Sequence, residues 1–114
     1  MEQAIILRCL VYGESMENIF RVRIGEEGEV SDLKDAIKEK KHPQFEDIPA
    51  KNLTLWRVSV PLDDNVDVAL AGLELKDSDE KRIKKLRPSD EISGAFLDLD
   101  KKHIHVIIQP PVTG

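Results

Sequence analysis

Apolar and polar residues alternate with a two-residue period along several stretches of this chain and recur at helical spacing along others. From Ala4 to Tyr12, residues Ile5, Leu7, Cys9 and Val11 fall on one side and Ile6, Arg8, Leu10 and Tyr12 on the other, which predicts a strand. The turn-forming residues Gly13 to Asn18 separate it from a second run, Ile19 to Gly25, where Phe20, Val22 and Ile24 alternate with Arg21 and Arg23. The two runs predict a hairpin whose core face is Ile5, Leu7, Cys9, Val11, Phe20, Val22 and Ile24. After a polar turn, Ser31 is placed as a helix N-cap with Asp32 in the first turn. Leu33, Ala36 and Ile37 follow on one face, with Lys34, Asp35, Lys38 and Glu39 expected to face water. Lys38, Lys40 and Lys41 suit the negative end of the helix dipole, and Pro43 ends the helix after about three turns.

A loop between Pro43 and Pro49 leads into a strand over Asn52 to Val60, closed by Pro61, in which Leu53 and Leu55 alternate with Thr54 and Trp56. Val66, Ala69, Leu70 and Leu73 have the spacing of a short helix, with Gly72 as its stop. Glu74 to Arg87 is charge-dense, anchored by Leu75, Ile83 and Leu86, and reads as loop with a short strand. Pro88 to Glu91 starts another short helix carrying Ile92 and Phe96. His103 to Gln109 is a last strand, with Ile104, Val106 and Ile108 expected on one face. A helix after a hairpin must return the chain to the sheet, and a final strand can then lie parallel to the first. The order predicts an α+β domain of the ubiquitin-like β-grasp class: a mixed four- to five-stranded sheet packed on one main helix plus short helices. The domain is expected to occupy residues 1–110, with a linker or tail beginning at residues 111–114.

Length and charge narrow the classes. A chain of 114 residues is one domain's worth and long enough to bury its own core. Its single cysteine excludes an internal disulfide framework and a Cys-rich zinc module. With 17 basic against 22 acidic residues, the net charge of −5 gives no general attraction to nucleic acid. No apolar run approaches the length of about 20 residues that spans a bilayer, and no cleavable signal is legible because Arg8 interrupts the N-terminal apolar stretch.

Several motifs suggest chemistry and are outweighed by plainer readings. Asp63, Asn65, Asp67 and Glu74 sit where a calcium loop has ligands, yet Val68 occupies the place that needs a positive φ, so a capped acidic turn is expected. Cys9 with His42, His103 or His105 would be a thiol–imidazole pair, but Cys9 shares the inward face with Leu7 and Val11. His103 and His105 lie two apart on a strand, where a metal site would need Asp98 or Asp100 to fold back. The tail ends Thr113-Gly114, without the diglycine of a covalent tag, and Gly25 to Gly28 is an acidic turn that would repel phosphate. No catalytic residue, cofactor or metal is expected; a small metal-dependent enzyme on the two histidines is the least favoured reading.

The predicted strand order places the first, last and third strands side by side. Their outer faces then gather Ile6, Leu10, Trp56, Val58, His105 and Ile107, flanked by Arg8, Arg21 and Arg23. A tryptophan ringed by aliphatic residues and arginines has the composition of a protein-binding hot spot. Two placements of Trp56 stay open: outward as an exposed contact, or covered by the Glu74–Arg87 excursion and part of the core.

Six segments carry a family resemblance. They are Ile6-Leu-Arg-Cys-Leu-Val-Tyr-Gly-Glu14, Glu29-Val-Ser-Asp-Leu-Lys-Asp-Ala-Ile-Lys-Glu-Lys-Lys-His42, Asn52-Leu-Thr-Leu-Trp-Arg-Val-Ser-Val60, Pro61-Leu-Asp-Asp-Asn65, Leu86-Arg-Pro-Ser-Asp-Glu-Ile92 and His103-Ile-His-Val-Ile-Ile-Gln-Pro110. In collinear order across nearly the whole chain, they resemble the N-terminal domain of the Crinkler effectors of oomycetes and fungi. The oomycete signature Leu-x-Leu-Phe-Leu-Ala-Lys is replaced here by Leu53-Thr-Leu-Trp56-Arg-Val-Ser59, keeping Leu53, Leu55 and the aromatic Trp56, a departure that looks like the fungal branch. The resemblance implies a ubiquitin-like header of a modular protein that is secreted and then acts in host cells, with any enzymatic activity in other domains. The sheet face around Trp56 is expected to dock a protein partner: a host factor, the protein's own C-terminal domain or another copy. An intracellular, cytoplasmic adaptor that binds a signalling partner is the alternative.

Overall fold

The hairpin forms as its alternation requires. In the computed structural model, which describes residues 4–42, 44–77, 83–96 and 102–111, strand β1 (Ala4–Val11) pairs antiparallel with β2 (Phe20–Gly25), from Ala4 opposite Gly25 to Cys9 opposite Phe20. Gly13 turns the corner at φ 92°, a conformation that costs a side-chain-bearing residue roughly 1 kcal/mol. Helix α1 (Val30–Lys40) crosses the hairpin, followed by β3 (Thr54–Pro61), α2 (Val66–Ala71), the two-residue β4 (Lys84–Lys85), α3 (Ile92–Ala95) and β5 (His103–Gln109). Spatial order in the sheet is β2-β1-β5-β3-β4, with β5 parallel to β1 and antiparallel to β3. This five-stranded mixed sheet with one main helix and short helices is consistent with a ubiquitin-like grasp.

Under α1 lies the main core, in which Leu7, Cys9, Leu33, Ile37, Leu55 and Ile108 are fully buried and Ile5, Phe20 and Ile24 are partly so. The loop after α1 adds Phe45, which is 2 % exposed and which the alternation does not single out. At the far end of α1, the Lys41 ammonium lies 4.7 Å over the Phe20 ring and 3.6 Å from Glu14, tying the helix to the hairpin turn.

Three details depart from the sequence reading. Helix α1 begins two residues early, with Glu29 rather than Ser31 as N-cap: the Asp32 carboxylate accepts the Glu29 N–H at 3.0 Å, and the Val30 and Ser31 N–H groups donate to the Asp90 and Pro88 carbonyls. A neighbouring segment therefore satisfies the first free N–H groups of the helix, so it can start ahead of Ser31. Lys34, expected to face water, is 6 % exposed, because the Leu86–Asp90 segment pinned to the start of α1 closes over that flank. Burial first, and then the Lys85 ammonium, hold its amine below the ordinary lysine range. Ile104 does not share a face with Val106 and Ile108; it packs with Trp56 and Val60 on the other side. A register shift between Arg57 and Val60 puts an extra residue in β3 there, so Val60 rather than an inward residue meets Ile104. Pro43, the expected helix stop, lies outside the described residues, as do residues 78–82 of the charged excursion and residues 112–114 of the expected tail.

Two variants test this packing. Phe45→Ala should cost about 3 kcal/mol in urea unfolding, the usual price of emptying a buried aromatic site. Lys34→Met should raise stability by about 1 kcal/mol, since it removes a desolvated charge while keeping the buried stem. The sign with pH follows: the folded amine releases its proton before the unfolded one, so wild-type stability climbs with pH through the alkaline window between the two, and the methionine variant lacks that climb.

Candidate functional site

The residues expected to form a docking face stand on β1, β3 and β5, and the sheet does bring them together. Leu10 is in register with Ile107, which is opposite Trp56. They are not open to solvent. Leu10, Trp56, Val58, His105 and Ile107 are all buried, Trp56 to 7 % exposure. Helix α2 and the segments around it supply the cover, through Val66, Leu70, Leu73, Leu75 and Ile83, and with Ile104 and Val60 these make a second hydrophobic cluster. The Trp56 indole N–H donates to Gln109 Oε1 at 3.1 Å, so its polar end is satisfied as well. Of the two placements open for Trp56, the covered one is realised. The physical reason is that β3 and β5 are central strands whose second face would leave a large apolar area in water, and the amphipathic Val66–Ala71 helix is next in the chain.

His105 has a structural task inside the sheet. The Arg8 backbone N–H donates to its Nδ1 at 3.1 Å, just where the β1–β5 ladder ends at Cys9 opposite Val106. The imidazole thus takes the place of a strand carbonyl, and accepting at Nδ1 assigns the ring proton to Nε2. Asp98 and Asp100, the carboxylates that would have to join His103 and His105 on a metal, lie outside the described residues; among the described residues no three His, Cys, Asp or Glu side chains gather. Cys9 is fully buried, and burial alone pushes its thiol well above the usual range, away from the thiolate that nucleophilic catalysis needs. The calcium-like loop is a helix start: Asp63 Oδ1 accepts the Asn65 N–H at 2.8 Å, and Val68 stands within α2, exposed. Leu53 and Leu55 point into the main core and hold the signature strand there.

What remains open of the expected face is its β1–β2 end. Ile6 is 53 % exposed, Arg8 is half-buried, and Arg21 and Arg23 are exposed. Register sets Arg8 directly opposite Arg21 and Ile6 opposite Arg23, so three arginines stand beside or across from the exposed Ile6 on the paired strands. Among the described residues, none of the three arginines makes an ion pair. Like charges set opposite each other across two strands are unfavourable, and an acidic ligand would relieve them.

A Trp56→Ala variant checks the covered placement: it should lose about 3 kcal/mol or more in chemical denaturation, where an exposed tryptophan would cost well under 1 kcal/mol.

Two comparisons place the chain. A family model described as the Crinkler effector protein N-terminal domain matches residues 5–109. Crinkler effector protein 1 of Rhizophagus irregularis, a fungus, is 38% identical over 109 residues, covering 95% of this chain and 22% of the relative. The match therefore takes in nearly all of this chain and under a quarter of the relative's length. With strands, helix and signature leucines in place along the matched span, the chain belongs to the Crinkler effector family through its N-terminal domain.

Proposed function

We propose that this chain acts as the non-catalytic header of a secreted Crinkler-type effector, serving delivery to a host cell by recognising a protein partner. The observation that carries this reading is the unequal coverage: a domain that fills this chain occupies 22% of its relative, the proportion of a recognition header within a larger modular protein. Supporting it, His105 is engaged in the sheet and Cys9 is buried in the core. The docking end is the Ile6–Arg8–Arg21–Arg23 patch, and the partner it fits presents acidic side chains around an apolar contact.

The test is an Arg21→Glu/Arg23→Glu variant of the whole protein carried as a fluorescent fusion. Both positions are exposed, so the fold should hold within about 0.5 kcal/mol. Wild-type fusion is expected in the recipient cell, and the variant should lose partner binding by about tenfold or more. Undiminished binding removes the patch from the reading. Signal confined to the producing cell replaces delivery by the intracellular adaptor reading.

A further inference from the structure

Although the chain carries a net charge of −5, its cations are not spread evenly. A groove of 910 Å³ runs between the buried flank of α1, the end of β3 and the β4 edge, and it is lined by Lys34, Lys51, Arg57, Lys84, Lys85 and Arg87. Among the described residues, two carboxylates share it, and both are engaged by backbone: Asp77 Oδ1 accepts the Lys85 N–H at 2.9 Å, and Asp90 Oδ2 accepts the Arg87 N–H at 2.9 Å. Among the described residues, Lys34, Lys51, Lys84, Lys85 and Arg87 make no ion pair. Lys34 is the telling member. Its side chain is covered, its amine is held below the ordinary lysine range by burial and by Lys85, and among the described residues no acid pairs with it. Positive charge kept in such a place costs stability, the pattern of a binding site rather than of a solvated surface.

We propose that this groove binds a compact polyphosphate, either free or as a lipid headgroup. Its chemistry selects that class. Several ammonium groups from separate elements converge as point charges, which suits phosphate oxygens. Among the described residues no aromatic ring lines the groove, so none of them stacks a nucleobase. An added peptide strand is disfavoured because the outward N–H of β4 at Lys85 is already taken by Asp77. A long polyanion would run past the groove onto an acidic surface, whereas a compact one stays within it. The inference stands apart from the docking patch, which lies at the opposite edge of the sheet on β1 and β2.

Calorimetric titration with inorganic tripolyphosphate at physiological salt tests it. One saturable site is expected. Lys84→Gln/Lys85→Gln, at two exposed positions, should weaken binding by about tenfold or more, the worth of at least one charge-assisted hydrogen bond. Arg87→Gln serves where the double variant unfolds below the wild-type denaturant midpoint. Arg21→Gln/Arg23→Gln removes the same charge from the other edge and should leave tripolyphosphate binding unchanged. Sedimentation with phosphatidylcholine vesicles containing phosphatidylinositol bisphosphate then identifies the source: co-sedimentation lost in the groove variant points to a headgroup, and tripolyphosphate binding without co-sedimentation points to a free ligand. Equal weakening by both double variants, equally tight binding of polyglutamate or duplex DNA, or no heat with tripolyphosphate together with no co-sedimentation overturns the proposal.

Discussion

The structure depends on one constraint: β5 is a central strand with both of its faces out of water. Five consecutive residues, Ile104 to Ile108, are buried, and a strand in that position cannot have a solvated side. One face is covered by α1 and the loop behind it, the other by α2 and the residues around Leu73–Leu75 and Ile83. In the edge strands, by contrast, Arg21, Arg23, Lys84 and Lys85 are exposed. Backbone pairing along β5 is also where the two halves of the sheet are joined, since β1 lies on one side and β3 on the other. The ladder to β1 is short, ending at Cys9 opposite Val106, and a side-chain acceptor on His105 carries it one donor further. An apolar residue there would leave the Arg8 amide without that partner.

Two-sided burial recasts how such a domain recognises anything. A β-sheet with one open face offers a broad apolar platform, and Trp56 would be its natural centre. Here the platform is sealed by the chain's own following segment, and the tryptophan stiffens the interior instead. Recognition is left to the rims, where among the described residues cations stand without ion-pair partners: arginines around Ile6 at the β1–β2 rim, lysines and Arg87 at the β4 rim. In a chain with an excess of acids, two unneutralised basic rims separate attraction for anionic ligands from general attraction to polyanions.

Much of this was legible residue by residue. The inward set of the first hairpin, the apolar face of α1, the Gly72 stop and the parallel placement of the last strand beside the first all follow from local periodicity and short connections. What periodicity missed were partners supplied from far along the chain. Ser31 is a better N-cap by composition than Glu29, but carbonyls of Pro88 and Asp90 arrive at the helix start and shift it. Lys34 has a polar position on the helical wheel, and the same arriving segment covers it. Phe45 carries no periodic signal because it lies in a loop. A lone large aromatic between polar residues was the available hint.

The sequence by itself determined which residues could be strand and which helix, which side of the first hairpin is apolar, and the family to which the chain belongs, because these rest on spacing and residue identity within short windows. Only the tertiary structure decided which apolar sides stay open. Alternation says that a strand has a second face of given composition, but the identity of its cover depends on segments tens of residues away folding back across it. Burial is a property of the whole arrangement, and that is why Leu10, Val58 and Ile107 belong to a core rather than to a surface.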